Sequence, residues 1–459
     1  MFDLVIRGGT VVTAGSLSAC DIGIADGKVA QLGGDMTGAQ EIDARGRYVF
    51  PGGVDVHVHL SASRDPAPGV ELWVDDFYSG SRAAIAGGVT TIGNMTFQHA
   101  GETLRDALAR DIAAAQRDAA VDYILHPILS DPSPESLAQI PELAAEGHTS
   151  LKIFLVMGNF DARVDDYIRA LELAGQSGTL TMLHCEDGAL IRCTCRELMA
   201  QGMSAPQHWP QARPDYTESV ATERAIAMAR ATHAPIYIVH LSSAVALERC
   251  HRARADGLPV YVETRPLYLY LTSEKFAEPD AAKYVGAPPL REHADLRAMW
   301  NGLHSGDIQC VCTDHAPWSL RQKLDPTLDI TNVRQGVADL ETLMPMLYSE
   351  GVRAGRISLS RFVELTSTNA AKLFGMYPQK GTIAVGADAD LVVWDADARR
   401  VINGAAMQSH ADYSVYDGRE VQGWPLVTIS RGEIVYDRGE FNAPRGRGRW
   451  VRRGKTMRL

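Results

Sequence analysis

Gly53-Val54-Asp55-Val56-His57-Val58-His59-Leu60 is the stretch that decides how this chain is read. Apolar residues alternate into two histidines two positions apart. On a β-strand, residues i and i+2 face the same way, so His57 and His59 aim their imidazoles at one point. Two neutral imidazoles converging on a point make half of a divalent-metal site. The plainer alternative is a polar strand end with two unrelated histidines, and the rest of the chain has to choose.

Outward from that stretch, short apolar segments alternate with helical ones over residues 51–378. Eight segments read as strands: Val54 to His59, Thr90 to Gly93, Tyr123 to His126, Leu151 to Phe154, Leu180 to His184, Ile236 to His240, Val260 to Glu263 and Ile308 to Asp314. Leu104 to Ala119 and Thr222 to Thr232 read as helices. Eight strands alternating with helices predict a (β/α)8 TIM barrel, an α/β fold whose active site lies at the C-terminal ends of the strands. His57, His59, Lys152, His184, His240 and Asp314 all fall in or at the end of such a segment. Six metal-competent or titratable side chains from five strands would therefore meet at one face.

Taken singly, each has a blander reading. His184 or His240 could be a strand-end histidine bonded to a loop, and Asp314 could be a helix N-cap. His315, next along, would point the other way and is left out. Lys152 interrupts the apolar run Leu151-Lys152-Ile153-Phe154-Leu155, where a buried ammonium is costly unless paired or modified. It could snorkel to the barrel mouth, or react with carbon dioxide as the neutral amine and become a carbamate. Spacing does not choose.

The two ends share another texture. Leu4-Val5-Ile6, Val11-Val12, Ile22-Gly23-Ile24 and Val29 to Leu32 are separated by Gly8-Gly9, Asp26-Gly27 and Gly33-Gly34, which are hairpin and turn signals. Asp390 to Trp394, Leu426 to Ile429 and Ile434 to Tyr436 repeat the pattern. Neither end alone has enough strands to bury a sheet face. Residues 1–50 and 379–459 are therefore expected to form one small β-sandwich domain, ending in a C-terminal tail, beside a barrel of residues 51–378.

Among 459 residues, 46% are hydrophobic and 22% charged, as in ordinary globular proteins. The net charge of −11 argues against nucleic acid as a partner. The basic tail Arg445-Gly446-Arg447-Gly448-Arg449-Trp450-Val451-Arg452-Arg453 is accordingly read as packing along a neighbouring subunit. The seven cysteines show no C-x-x-C spacing and read as reduced thiols, with Cys193-Thr194-Cys195 and Cys310-Val311-Cys312 structural. No signal peptide opens the sequence and no apolar run approaches the ~18 residues of a membrane helix, so a cytoplasmic protein without membrane contact is expected.

The motifs Pro51-Gly52-Gly53, Asp75-Asp76-Phe77, Gly87-Gly88-Val89-Thr90-Thr91, Ser150-Leu151-Lys152, His184-Cys185-Glu186-Asp187, Tyr237 to Ser242, Glu263-Thr264-Arg265-Pro266, Pro288-Pro289-Leu290-Arg291 and Thr313-Asp314-His315 follow in order along the chain. In that order and spacing the chain resembles the cyclic amidohydrolases of the hydantoinase/dihydropyrimidinase type, nearly end to end. The likeness is strongest to the phenylhydantoinase-like branch, through Arg361 to Ser367 and Gly446 to Arg449. The resemblance implies a hydrolase with two divalent metal ions, zinc being expected. His57 and His59 would hold the more buried ion and His184 and His240 the more exposed one. Lys152, as N6-carboxylysine, would bridge them, and Asp314 would be both ligand and general acid/base. Two such cations ~3.5–4 Å apart stabilise a bridging hydroxide and polarise a carbonyl, and a carboxylate beside them can carry a proton to the leaving nitrogen. The implied substrate is a small cyclic amide, imide or ureide opened at a C–N bond and held by backbone groups near Ala287 and Asn332. A homotetramer is implied as well.

One departure bears on the substrate. Such relatives usually carry an oxyanion-binding tyrosine five residues after the bridging lysine, where this chain has Met157. A thioether cannot donate, and losing one oxyanion donor costs ~10²–10³ in rate. An allantoinase-like or imide-specific hydrolase therefore stands as the alternative. Dihydroorotases usually place an arginine two residues after the second histidine; here that position is Ser61, with Arg64 further on, and that reading is set aside. Non-catalytic scaffold homologues lose ligands, whereas this chain keeps all six.

Overall fold

The computed structural model describes residues 1–62 and 72–459, so Arg64 lies outside the described residues. Eight parallel strands follow one another in sequence order around a nearly closed barrel. They are β1 Gly53–Val58, β2 Val89–Phe97, β3 Asp122–Ile128, β4 Ser150–Phe154, β5 Leu180–His184, β6 Ile236–Ile238, β7 Val260–Thr264 and β8 Cys310–Val311. Every residue of β1, β3, β5, β6 and β7 is buried, as a parallel sheet covered on both faces requires of its apolar runs. The last gap is spanned where the His59 N–H donates to His315 O at 2.7 Å.

The barrel helices are α1 Phe77–Ala86, α2 Leu104–Asp118, α3 Pro134–Glu146, α4 Val164–Ser177, α5 Asp215–Thr232, α6 Ala244–Ala255 and α7 His293–Ser305. Side-chain caps fix where they start: Asp76 for α1, a Thr103–Asp106 capping box for α2, and Ser133 followed by Pro134 for α3. β8 is much shorter than the predicted Ile308 to Asp314. Thr313 gives its hydroxyl to the buried Asp55 carboxylate at 2.6 Å and its N–H to the same group at 3.3 Å. The chain leaves the sheet at that point.

Both chain ends fold together. A seven-stranded sheet joins Leu17–Ala19, Thr10–Val12 and Tyr48–Pro51 to Leu391–Val401, Glu420–Ser430, Glu433–Asp437 and Glu440–Phe441. A four-stranded sheet holds Phe2–Arg7, Ile22–Ala25, Lys28–Leu32 and Gly38–Asp43. Leu4, Ile22, Val49, Leu391 and Ile429 meet in one apolar core drawn from both sheets. The seam from Leu391↔Pro51 to Trp394↔Tyr48 delivers the chain directly into β1.

The C-terminal tail runs along its own barrel, which corrects the expectation of a neighbouring subunit. The Arg449 N–H donates to Asp122 at 3.0 Å, and the Tyr123 N–H donates to Arg449 O at 2.9 Å. Arg453 is buried and donates to Ser150 Oγ at 2.6 Å and Leu125 O at 3.0 Å. The reason is acceptor supply. β3 and β4 offer carboxylate, hydroxyl and carbonyl oxygens within reach of the tail's guanidinium groups. The acidic cluster Asp122, Asp388 and Asp390 is filled from the protein itself: Lys380 Nζ lies 2.6, 3.0 and 2.6 Å from the three.

A buried carboxyl in the barrel gives a pH test. Glu341 accepts from the Gln408 N–H at 2.7 Å, and burial pushes it up from 4.5 to about 7. Its folded value lies above the ordinary one, so ionisation costs stability. That cost is absent below pH 4.5 and complete above about 7. Glu341→Gln keeps an oxygen acceptor, and should melt about 2–4 °C above the wild type at pH 8 but level with it near pH 4.5. Melting lower at pH 8 would contradict this.

Candidate active site

The barrel brings the six predicted side chains together at the C-terminal ends of its strands. His57 Nε2 lies 3.1 Å and His59 Nε2 2.8 Å from Asp314 Oδ1. His184 Nδ1 lies 2.9 Å from His240 Nε2. The His57 and His240 rings are 5.5 Å apart between centroids, so the two groups are neighbours. Lys152, on β4, is completely buried, and its Nζ has no hydrogen-bond partner. The Phe154 ring lies 4.8 Å from that Nζ.

Two of the six sit on turned backbone. His240 has φ 38° and Asp314 φ 50°, a left-handed region that non-glycine residues seldom occupy, though Asp and His do so more than most. Fixed neighbours hold both turns. The His240 N–H donates to Glu263 Oε1 at 3.0 Å, and Arg265 Nε donates to Thr313 O at 3.0 Å. These bends carry the two side chains past the strand ends to face the other four.

Four supporting residues were not assigned roles from sequence. Glu263 Oε1 accepts from His57 Nδ1 at 2.7 Å, so that Nε2 is the ring nitrogen that faces Asp314. Glu186 Oε2 lies 2.8 Å from His184 Nε2, so that Nδ1 is the ring nitrogen that faces His240, and Arg213 braces that carboxylate. Arg265 Nη1 stands 2.9 Å from Asp314 Oδ2, so Oδ1 alone is left to the histidines. Carboxylates that fix a histidine's tautomer in this way are the usual support of a metal site. A glutamate closing the apolar run Val260-Tyr261-Val262-Glu263 was the available signal. His315 does point away, with Nε2 2.9 Å from Asp75.

Charge follows from this packing. Burial lowers His59 to about 4 and takes His240 well below its ordinary range, so both are neutral imidazoles at pH 7, as metal ligands must be. Burial lowers Lys152 to about 8. Burial alone would raise Asp314, but Arg265, His57 and His59 outweigh it and hold the carboxyl well below its ordinary value.

A cleft of about 500 Å³ is lined by His57, His59, His184, His240 and Asp314, but not by Lys152. Trp73, Phe97 and Phe154 form its apolar side, and Ala287, Gln335 and Gly336 line it as well. Asn332 is exposed and does not line the cleft; its Oδ1 accepts from the Asp329 N–H at 2.7 Å. Met157 is half-buried, packs against the apolar cluster inside the barrel, and does not line the cleft either. Ser61 Oγ donates to Trp73 O at 2.9 Å.

The donor set fits divalent cations. Zinc–nitrogen bonds of ~2.0–2.1 Å in a tetrahedron put neighbouring ligand atoms about 3.3 Å apart. The separations of 3.1, 2.8 and 2.9 Å approach that edge. His57, His59 and Asp314 make a buried three-residue group able to hold an ion.

Residues 48–435 match the amidohydrolase family. The chain belongs to that family. It is 39% identical to the D-hydantoinase of Ralstonia pickettii over 459 residues, 99% of each chain. It is equally 39% identical to the D-phenylhydantoinase of Escherichia coli O1:K1 / APEC, over 98% of each. Among solved structures, a dihydropyrimidinase from Brevibacillus agri NCHU1002 superposes with a TM-score of 0.94 at 38% identity, covering 99% of both chains. This amidohydrolase is thus of the hydantoinase/dihydropyrimidinase type and carries groups of residues able to bind metal. No helix among the described residues is long and apolar enough to cross a membrane.

Proposed function

We propose that the chain is a binuclear-metal hydrolase that opens a cyclic amide, imide or ureide, of hydantoin or dihydropyrimidine type, at a ring C–N bond. Lys152 carries this reading: it is a fully buried amine without a hydrogen-bond partner, close enough to His57, His184 and Asp314 for their charges to act on one another. Carboxylation of Nζ would give it two oxygens to share between the two histidine groups. Its lowering to about 8 makes available the neutral amine that carbon dioxide needs. His57, His59 and Asp314 would hold one ion and His184 and His240 the other, with Lys152 between and zinc the expected metal. When bound, such a pair supplies water acidified to near neutrality and a polarised carbonyl.

The protein's own groups supply the rest. Arg265 fixes Asp314 through Oδ2 and keeps it ionised, so the carboxylate can take a proton from the attacking water. It then delivers that proton to the ring nitrogen, which leaves poorly unless protonated. Trp73, Phe97 and Phe154 shield the step from bulk water. In this reading residues 51–378 carry the chemistry, supported by a β-sandwich of 1–50 and 379–459. Seven unpaired cysteines fit a reducing cytoplasm. The relatives' names, D-hydantoinase and D-phenylhydantoinase, support the substrate class.

Met157 favours a second reading, an allantoinase-like or imide-specific hydrolase, because its thioether cannot donate to an oxyanion. One assay separates the two. The metal-loaded protein is offered a hydantoin, dihydrouracil, allantoin and a cyclic imide. Highest kcat/KM on the hydantoin or dihydrouracil is expected. A preference of roughly 10²-fold or more for allantoin or the imide moves the assignment to the second reading, and turnover of no ring overturns both.

A further inference from the structure

Ala287 follows β7, and Gln335 and Gly336 follow β8; these two segments line the cleft. Buried between them is Lys323, the last residue of the short helix Leu320–Lys323. Its Nζ donates to Val285 O at 2.7 Å, Arg334 O at 2.7 Å and Gly336 O at 3.0 Å. An ammonium has three donors, and all three are used. Among the described residues no carboxylate pairs with it, and Arg265 is the charge that acts on it. Burial and Arg265 favour the neutral amine, while three convergent carbonyl oxygens favour the ammonium. A buried amine of either charge is tolerated only while its hydrogen bonds are kept, so the three carbonyls are tied to one another through it.

Other donors complete the clamp. The Gly336 N–H also reaches Val285 O at 3.0 Å. Trp209 Nε1 donates to Gly286 O at 2.7 Å, Tyr268 Oη to Pro288 O at 2.6 Å and Trp318 Nε1 to Gln335 O at 2.8 Å. What remains is a short set of free groups. Among the described residues, the N–H groups of Gly286 and Gln335 and both backbone groups of Ala287 have no hydrogen-bond partner. Across a planar trans peptide, an N–H points opposite to the preceding carbonyl. With Val285 O and Arg334 O turned to Lys323, the amides of Gly286 and Gln335 face away from it.

We propose that Lys323 is a positioning residue for ring recognition: its Nζ locks two cleft segments together and so presents the free backbone groups of Gly286, Ala287 and Gln335 to the carbonyl and N–H groups of a cyclic amide. The proposal rests on the cyclic-amide reading above. It gives a residue that touches no substrate a role in KM.

Lys323→Met keeps the aliphatic stem and removes every donor. With the best ring from the panel above, KM should rise roughly tenfold or more while kcat changes by less than about threefold, and metal content per chain should equal that of the wild type. Lys323→Gln retains an amide donor and should give an intermediate KM. A KM within about twofold of wild type in either variant, or a fall in kcat with KM untouched, overturns the proposal. If the Met variant does not fold, the Gln variant and hydrogen exchange on the wild type decide. Adding the ring should slow exchange at Gly286 and Gln335, and unchanged exchange there overturns the proposal. A wild type that opens no ring fails the cyclic-amide reading itself; a wild type that opens it beside a Lys323→Met variant with normal KM fails this inference alone.

Discussion

Asp314→Asn is expected to lower ring opening by about 10³–10⁴-fold while the protein keeps its fold. Asparagine is the informative change because of what surrounds Asp314. Arg265 Nη1 sits 2.9 Å from Oδ2, and the arginine is completely buried. Alanine would open a cavity beside that buried guanidinium as well as removing its counter-charge, so lost activity could reflect lost structure. Asparagine fills the same space and keeps an oxygen beside Arg265 Nη1. What it loses is the negative charge and the capacity to carry a proton from water to the leaving nitrogen. Turnover within tenfold of wild type, in a variant melting like the wild type, would remove Asp314 from the mechanism.

The second large effect is at Lys152, where stability and function should part. A buried amine with no partner contributes nothing favourable by hydrogen bonding. Lys152→Met preserves the stem and removes the amine. The metal-free variant should therefore melt no lower than the metal-free wild type, although its ring opening falls by about 10³-fold or more. Lys152→Ala opens space beside the two histidine groups. Short carboxylic acids should enter it and restore part of both metal content and activity, because their oxygens stand in for the carbamate. A Met variant that binds metal and turns over normally would refute the carbamate bridge. A Met variant that loses several degrees when metal-free would show that Lys152 has a structural partner.

The sequence made the barrel legible because parallel strands covered on both faces must be continuous apolar runs. The site was legible for the same reason: polar residues at the ends of those runs have no packing excuse for being there. Eight such runs, with His57, His59, Lys152, His184, His240 and Asp314 in them or at their ends, were readable without coordinates, and the family resemblance chose among their readings. What stayed hidden depends on contacts between distant segments. Glu263 fixes His57 across 206 positions of sequence, and Lys323 reaches carbonyls 38, 11 and 13 positions away. No periodicity encodes such pairs. β8 was drawn too long because the competitor for Thr313 is the side chain of Asp55, on another strand. Asn332 turns outward because the Asp329 N–H takes its side-chain oxygen, and the cleft wall begins three residues later. The basic tail was read outward because composition does not say whose carboxylates it will meet.

In the proposed function two ions share one site and ring opening depends on both. The direct measurement is a titration of metal-free wild type with zinc in bicarbonate buffer, following ring opening of the best substrate. The account predicts activity that is absent after chelation and climbs to a break at two zinc ions per chain. A break at one ion, or ring opening that survives complete chelation, would contradict it.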